Sequence, residues 1–184
     1  MATDHSVCPA TLAKFLTSGL RKLVQNPDRI LGPYVAEGQT VLDIGCGPGF
    51  FTLAMARLVG PGGQAIAADL QEEMLEITRE RACKAGLESR IRFHKCRPDR
   101  IGLDVQVDLA LAFYMVHEVP DAGSLLEEIA DVLKPGGRLL IVEPKFHVSA
   151  ADFARTVELA RGLGLRSVGE PKITLSRSVV LVRE

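Results

Sequence analysis

Three glycines stand at alternate positions in the stretch VLDIGCGPGFFTLAM: Gly45, Gly47 and Gly49. The residues before them read as the end of a buried strand, and those after them resume apolar character at helical spacing. Glycine in such a turn lets the chain reverse sharply and lets a ligand touch bare backbone. The amides that open the following helix then face that ligand. Asp69, 24 residues after Gly45, closes the next apolar run, GQAIAAD. A carboxylate at the end of that second strand can accept both hydroxyls of a ribose. Turn and acid together predict a ribose-containing cofactor; the plainer alternative is a tight structural turn and a solvated aspartate.

The charge of that cofactor follows from two departures. The third glycine comes one position early for the dinucleotide pattern G-x-G-x-x-G. Asp43 lies two residues before Gly45, inside the strand end, where its charge would repel a pyrophosphate and would suit an ammonium or sulfonium. An NAD-type oxidoreductase is the main rival reading, and it predicts a later third glycine and no acid at position 43.

The elements that must position these residues alternate along the chain. Strands are expected at 40–44, 64–69, 91–95, 107–113, 138–142, 165–169 and 176–182. Helices are expected at about 50–58, 72–85, 122–133 and 150–161, with KPGG at 134–137 ending the third of them. The run VDLALAF is apolar enough for a strand buried on both faces. Such alternation predicts an α/β fold with helices on both faces of a mostly parallel sheet. The last two strands are joined by about five residues, too few for a parallel crossover, so the last strand should run antiparallel. Residues 1–34 read as an N-terminal helical segment, with Leu12, Phe15, Leu16, Leu20, Leu23 and Val24 near helical spacing and Pro27 interrupting the run. This segment is expected to lie across a main domain at 35–184 and to cover its site.

The totals narrow the function. A chain of 184 residues suits one domain with a small appendage. Its net charge of −1 gives no electrostatic footprint for nucleic acid, and the absence of tryptophan leaves few stacking platforms for single strands. No apolar run is long enough to span a membrane, so membrane insertion is not expected. The start MATDHSVCPA lacks the basic and apolar regions of a signal peptide. Cys8, Cys46, Cys83 and Cys96 form no C-x-x-C pair, which fits a reduced, cytoplasmic chain.

Taken together, VLDIGCGPG, AIAADLQEEML, VDLALAFYMVHEV and LLEEIADVLKPGGRLLIVEP resemble successive motifs of class I S-adenosylmethionine-dependent methyltransferases of the small-molecule type. The resemblance covers about residues 35–184. It implies a Rossmann-like three-layer sandwich with strand order 3-2-1-4-5-7-6 and strand 7 antiparallel, S-adenosylmethionine as cofactor and S-adenosylhomocysteine as product. It implies that Asp43 lies near the amino-acid end of the cofactor. Gly45, Cys46, Gly47 and Gly49 would supply backbone, and Asp69 would hold the ribose. Leu70 would flank the adenine, with Gln71 and Met74 nearby and Phe113 completing the set. Many relatives carry Gly-Asp after the third strand, the Asp contacting the adenine amino group. Here Cys96 and Arg97 take those places, and an arginine has no acceptor to offer. A backbone carbonyl or Asp99 is expected to substitute.

Ligands of a doubly wound sheet bind beyond the carboxyl ends of the strands, at the switch point. That rule selects Tyr114, His117, Glu118, Glu143, Lys145 and His147 for the acceptor side, with His5, Cys8, Phe15 and Arg21 available from the N-terminal segment. Methyl transfer from a sulfonium needs alignment rather than a covalent nucleophile. A hydroxyl or thiol acceptor gains from a base, and His117 is the first choice because its natural pKa lies near neutrality. Tyr114, Glu143 and His147 are the remaining catalytic candidates, and Lys145 is expected to face solvent. The signature [DN]PP[YF] of amino-directed enzymes is absent after strand four, where the chain reads FYMV. The expected acceptor is therefore a small molecule with an O, S or C nucleophile. A protein, an RNA, or a soft thiol or metalloid is the alternative acceptor. The other alternative role is a non-catalytic cofactor-binding scaffold. Pairs such as His94 and Cys96 could be read as zinc ligands, but their spacing is irregular and no metal is assigned. A homodimer could supply missing cover.

Overall fold

The computed structural model describes residues 25–184. His5, Cys8, Phe15, Arg21 and most of the expected N-terminal helical segment lie outside the described residues. Pro27 opens a short helix, α1 (Pro27–Leu31), whose N-cap Asn26 accepts a hydrogen bond from the Arg29 amide at 3.1 Å.

Strands β1 (Thr40–Ile44), β2 (Gln64–Asp69) and β3 (Ile91–Lys95) alternate with helices α2 (Thr52–Leu58) and α3 (Glu72–Lys84). Strands β4 (Val107–Phe113) and β5 (Leu133–Pro144) flank α4 (Ala122–Val132). Helix α5 (Ala150–Gly162) precedes β6 (Leu165–Gly169) and β7 (Ser176–Arg183). The sheet order is β3-β2-β1-β4-β5-β7-β6, with β7 antiparallel to both neighbours. This is the α/β arrangement expected from the sequence, antiparallel last strand included.

Alternation along each strand divides the core. Val41, Ala65, Leu109 and Leu111 pack on one face with Met55 and Leu75 of α2 and α3. Leu42, Ile66, Ala110 and Leu139 pack on the other with Leu126, Ile129 and Ala160 of α4 and α5. Strands covered on both sides must be apolar at successive positions, which is why β1, β2 and β4 read as continuous apolar runs.

The KPGG segment differs from expectation. Helix α4 ends one residue early, and β5 begins at Leu133 rather than at Arg138. Leu133 pairs with Val107, and pairing with β4 resumes only at Leu109 opposite Arg138. Lys134–Gly137 is thus an excursion within the strand. A Cβ on Gly137 would meet the Lys134 and Val107 carbonyl oxygens at 2.7 and 3.1 Å, so only glycine fits.

Asp108 holds the strand ends opposite the glycine turn together. Its Oδ2 accepts the Thr40 amide at 2.9 Å, and both its oxygens accept from Lys134 Nζ at 2.8–2.9 Å. One carboxylate therefore joins the starts of β1, β4 and β5. Asp108→Ala is expected to cost about 1–3 kcal/mol of unfolding free energy, because hydrogen bonds to a charged group are lost from a partly buried site. Urea titration should show a lower midpoint at constant slope. Arg166→Ala, which removes an exposed pair with Glu184, should stay within about 0.5 kcal/mol of the parent.

Candidate active site

The carboxyl ends of β1, β2, β3, β4 and β5 lie along one edge of the sheet, and the order in which strands are added reverses between β1 and β4. A cavity of about 830 Å³ opens at that edge, reaching from the loop after β3 to His117 and His147. Its volume is at the upper end for a small-molecule site and leaves room for two ligands.

The glycine turn forms the cavity floor. Gly45, Gly47 and Gly49 all have positive φ, at 64°, 51° and 75°. Gly45 allows the end of β4 to approach: a Cβ there would lie 3.1 Å from Met115 Cβ. Gly47 leaves open space beside its Cα, as a surface for close ligand approach requires. Gly49 is placed differently from the other two. It does not line the cavity, and a Cβ on it would lie 2.6 Å from Thr78 Cγ2, so it lets the turn pack on α3.

Asp69 is buried and ties the turn to β2. Its Oδ2 accepts the Gly47 amide and its Oδ1 the Gln71 amide, both at 2.8 Å. Thr78 Oγ1 donates to the Gly47 carbonyl at 2.9 Å, and Arg81 donates to the Pro48 carbonyl. Burial pushes the Asp69 pKa up, against the pull of the two amides. Asp43 is equally buried and accepts from Thr52 Oγ1 at 2.5 Å. Asp43, Gly45, Cys46, Gly47, Asp69, Leu70, Gln71, Met74, Cys96, Arg97 and Phe113 all border the cavity. Two buried acids with an open glycine backbone fit a cofactor that combines a ribose with positive charge.

Neither cavity thiol is set up as a thiolate. Burial, then the Asp43 and Asp69 charges, pushes the Cys46 thiol well up, and burial beside Asp69 pushes Cys96 up to about 12. His94 Nε2 is bonded to the Ile101 carbonyl at 2.6 Å. Among the described residues no group of three or more His, Cys, Asp or Glu side chains is arranged to hold a metal.

At the other end of the cavity the chain leaves β4 through Tyr114, a non-glycine residue with φ 60°. The Tyr114 hydroxyl lies 2.6 Å from Ser176 Oγ and accepts from Gln25 Nε2 at 2.6 Å, which fixes the ring as a wall. A 3₁₀ turn (Val116–Glu118) follows and presents His117. Glu143, near the end of β5, is only 2% exposed. Its Oε1 accepts the Val116 amide at 2.9 Å, and its Oε2 lies 2.5 Å from His117 Nδ1. Glu143, a catalytic candidate from the sequence, is not among the residues bordering the cavity; its two oxygens are engaged by the Val116 amide and the His117 ring. That hydrogen bond, opposed by burial and aided by the charges of Glu143 and Glu118, raises the His117 pKa. Burial raises that of Glu118.

The His147 ring stacks on that of His117, centroids 5.9 Å apart at 13°, with the exposed Phe146 ring tilted against it. Lys145 is exposed, as expected. Sequence reasoning missed Phe50 and Phe51, which line the cavity and continue through Phe113 to Tyr114 as a run of ring contacts. Their position directly after the glycine turn was the available signal. It also missed Glu128, whose two oxygens accept the Ile101 and Gly102 amides and fix the loop after β3; no local pattern marks that role.

Comparison with known proteins agrees with this geometry. A family model described as a methyltransferase domain matches residues 36–163. The ubiquinone/menaquinone biosynthesis C-methyltransferase UbiE of Pasteurella multocida is 34% identical over 110 residues, 59% of this chain and 41% of that protein. UbiE of Azotobacter vinelandii is similar to the same extent, with 44% of its length covered. The match thus spans less than half of these curated relatives. A SAM-dependent methyltransferase from Aquifex aeolicus superposes with a TM-score of 0.86 at 25% identity, over 97% of this chain and 100% of that one. A SAM-dependent O-methyltransferase from Thermotoga maritima shares the fold, with a TM-score of 0.69 at 21% identity over 86% of this chain and 64% of that one. With the family model matched over most of its length and the sheet order and glycine turn in place, the chain belongs to the methyltransferase-domain family, within the class I S-adenosylmethionine-dependent superfamily.

Proposed function

We propose that this protein methylates an oxygen, sulfur or carbon nucleophile of a small-molecule acceptor, with His117 taking the acceptor's proton. The observation that carries the reading is the His117–Glu143 pair: an imidazole on the cavity wall whose Nδ1 is held at 2.5 Å by a buried carboxylate. With Nδ1–H donated to Glu143, the tautomer is fixed and Nε2 is left as the basic nitrogen. Glu143 then stabilises the imidazolium that forms.

Cofactor binding falls to the other end. Each Asp69 oxygen already accepts one amide and keeps a lone pair for a ribose hydroxyl. Asp43 supplies negative charge near the amino-acid portion, Gly45, Cys46 and Gly47 offer backbone, and Leu70, Gln71, Met74, Cys96 and Arg97 surround the base. When bound, S-adenosylmethionine supplies a methyl group on a sulfonium. With the cofactor held there, His117 Nε2 would take the proton that the acceptor loses as it gains the methyl group, with S-adenosylhomocysteine as the other product. The rings of Phe50, Phe51, Tyr114 and Phe146 favour a flat, apolar acceptor. The C-methyltransferase names of the curated relatives favour carbon as its nucleophilic atom. Gln25 bonds to Tyr114 at the acceptor end of the cavity. This supports reading residues 1–34 as cover for a catalytic domain at 35–184.

Binding, titration and rate measurements test the reading. Asp69→Asn should weaken S-adenosylhomocysteine binding about 10–100-fold by calorimetry, the range expected for hydrogen bonds to a charged group; unchanged affinity would reject the ribose assignment. His117 must be neutral to act, and Glu143 raises its pKa, so activity should fall with acid along a limb above the ordinary histidine value of about 6.5. Glu143→Gln should lower the His117 pKa in an NMR titration, move that limb to lower pH and reduce kcat. His117→Asn should reduce kcat about 10²–10⁴-fold with cofactor affinity retained. An unmoved histidine titration in the Glu143 variant would refute the pair.

A further inference from the structure

Beside the main cavity lies a smaller one of about 310 Å³, lined by His94, Lys95, Arg97, Arg100, Ile101 and Gly102. No carboxylate is among its lining residues, and it shares Arg97, Arg100 and Ile101 with the larger cavity.

The two arginines sit on a tight reversal. The Arg97 amide donates to the Arg100 carbonyl at 2.9 Å, and the Arg100 amide donates back at 3.3 Å, with Pro98 and Asp99 between them. Residues that exchange both backbone bonds in this way carry their side chains on one face of the ribbon. Like charges placed opposite each other there repel, and this costs stability unless an anion lies between them. Neither Arg97 nor Arg100 has a carboxylate within 4 Å among the described residues.

The loop cannot simply swing to relieve this. Its start is held by the Cys96 amide on the Asp69 carbonyl at 2.9 Å. Its end is held by Glu128 on the Ile101 and Gly102 amides and by His94 on the Ile101 carbonyl. Both Glu128 oxygens are engaged in that anchoring, and both Asp69 oxygens hold the glycine turn. Lys95 also borders this cavity, but its Nζ is engaged by the Leu70 carbonyl and lies 3.9 Å from Glu72 Oε2.

We propose that Arg97 and Arg100 form a subsite for a small oxyanion, a phosphate or carboxylate group, at the outer end of the main cavity. Paired guanidinium forks match the planar or tetrahedral oxygens of such groups, which a lone ammonium does not. The site is too compact, and its charge too local, for an extended nucleic-acid backbone. This subsite shares Arg97 with the wall that surrounds the base in the proposed function, so it adjoins the cofactor end of that reading.

The full-length protein should be titrated at low ionic strength with inorganic phosphate, phenyl phosphate and benzoate, following arginine side-chain NMR resonances. At least one of these anions should bind and perturb Arg97 and Arg100, more weakly as salt is added. The doubly substituted Arg97→Gln, Arg100→Gln protein should bind that anion about 10-fold or more weakly, and its melting temperature shows that it is folded. Arg97→Lys with Arg100→Lys should fall between the two, because the charge stays and the fork is lost. Tighter binding of phenyl phosphate or benzoate supports the subsite with an organic ligand as the source of the group; equal binding of inorganic phosphate supports it with the free ion. No binding by any of the three, or equal binding by the folded double variant, overturns the proposal. A parallel titration with S-adenosylhomocysteine keeps failure of the cofactor reading separate from failure of this one.

Discussion

The Asp69 carboxylate is the interaction on which the cavity depends. It stands at the end of β2 and accepts one amide from the glycine turn after β1 and one from its own turn into α3. Two neighbouring strand ends are thereby fixed relative to each other by charge-assisted bonds in a buried place, where such bonds are strong. The glycines permit the turn, but permission alone leaves many conformations open. Asp69, with Thr78 on the Gly47 carbonyl, selects one of them. The cost is a buried acid whose pKa is raised by desolvation and restrained by the two amides.

A second carboxylate does the corresponding work between β4 and β5. Glu143 reaches from one strand end to the Val116 amide and the His117 ring on the segment leaving the other. Parallel pairing of Phe113 with Val142 sets this up, because it places the residues just beyond both strands within reach. Tyr114, in the left-handed region, turns the chain so that His117 faces the cavity while its own hydroxyl is secured by Ser176 and Gln25. The two halves of the site are thus organised alike: a buried acid at a strand end orders a loop from the adjacent strand. Asp108 plays a similar part at the opposite edge, holding β1, β4 and β5 at their starts.

Much of this was legible beforehand. The spans of β1, β2, β3, β4 and β6 were read without error, because each is a short run of apolar or alternating residues bounded by turn residues. The differences have physical causes. KPGG was read as a turn before β5, whereas Val107 pairs with Leu133 across the excursion, and pairing to another strand is invisible to local pattern. Gly49 shares the spacing of Gly45 and Gly47 but meets Thr78, a contact decided by how α3 lies on the sheet.

The sequence by itself determined the class of fold, the antiparallel last strand and the character of the cofactor. These depend on periodicity, connection length and the charge of residues fixed to strand ends, all of which are local. The tertiary structure alone decided that Glu143 serves His117 and that Glu128 anchors the loop after β3. It also decided that Arg97, expected at the adenine, stands opposite Arg100, with no carboxylate within 4 Å of either among the described residues. Each of these partnerships joins side chains or backbone groups through a particular register or a particular loop closure. A carboxylate in a sequence announces its charge; which donors it meets is settled only when the strands have paired.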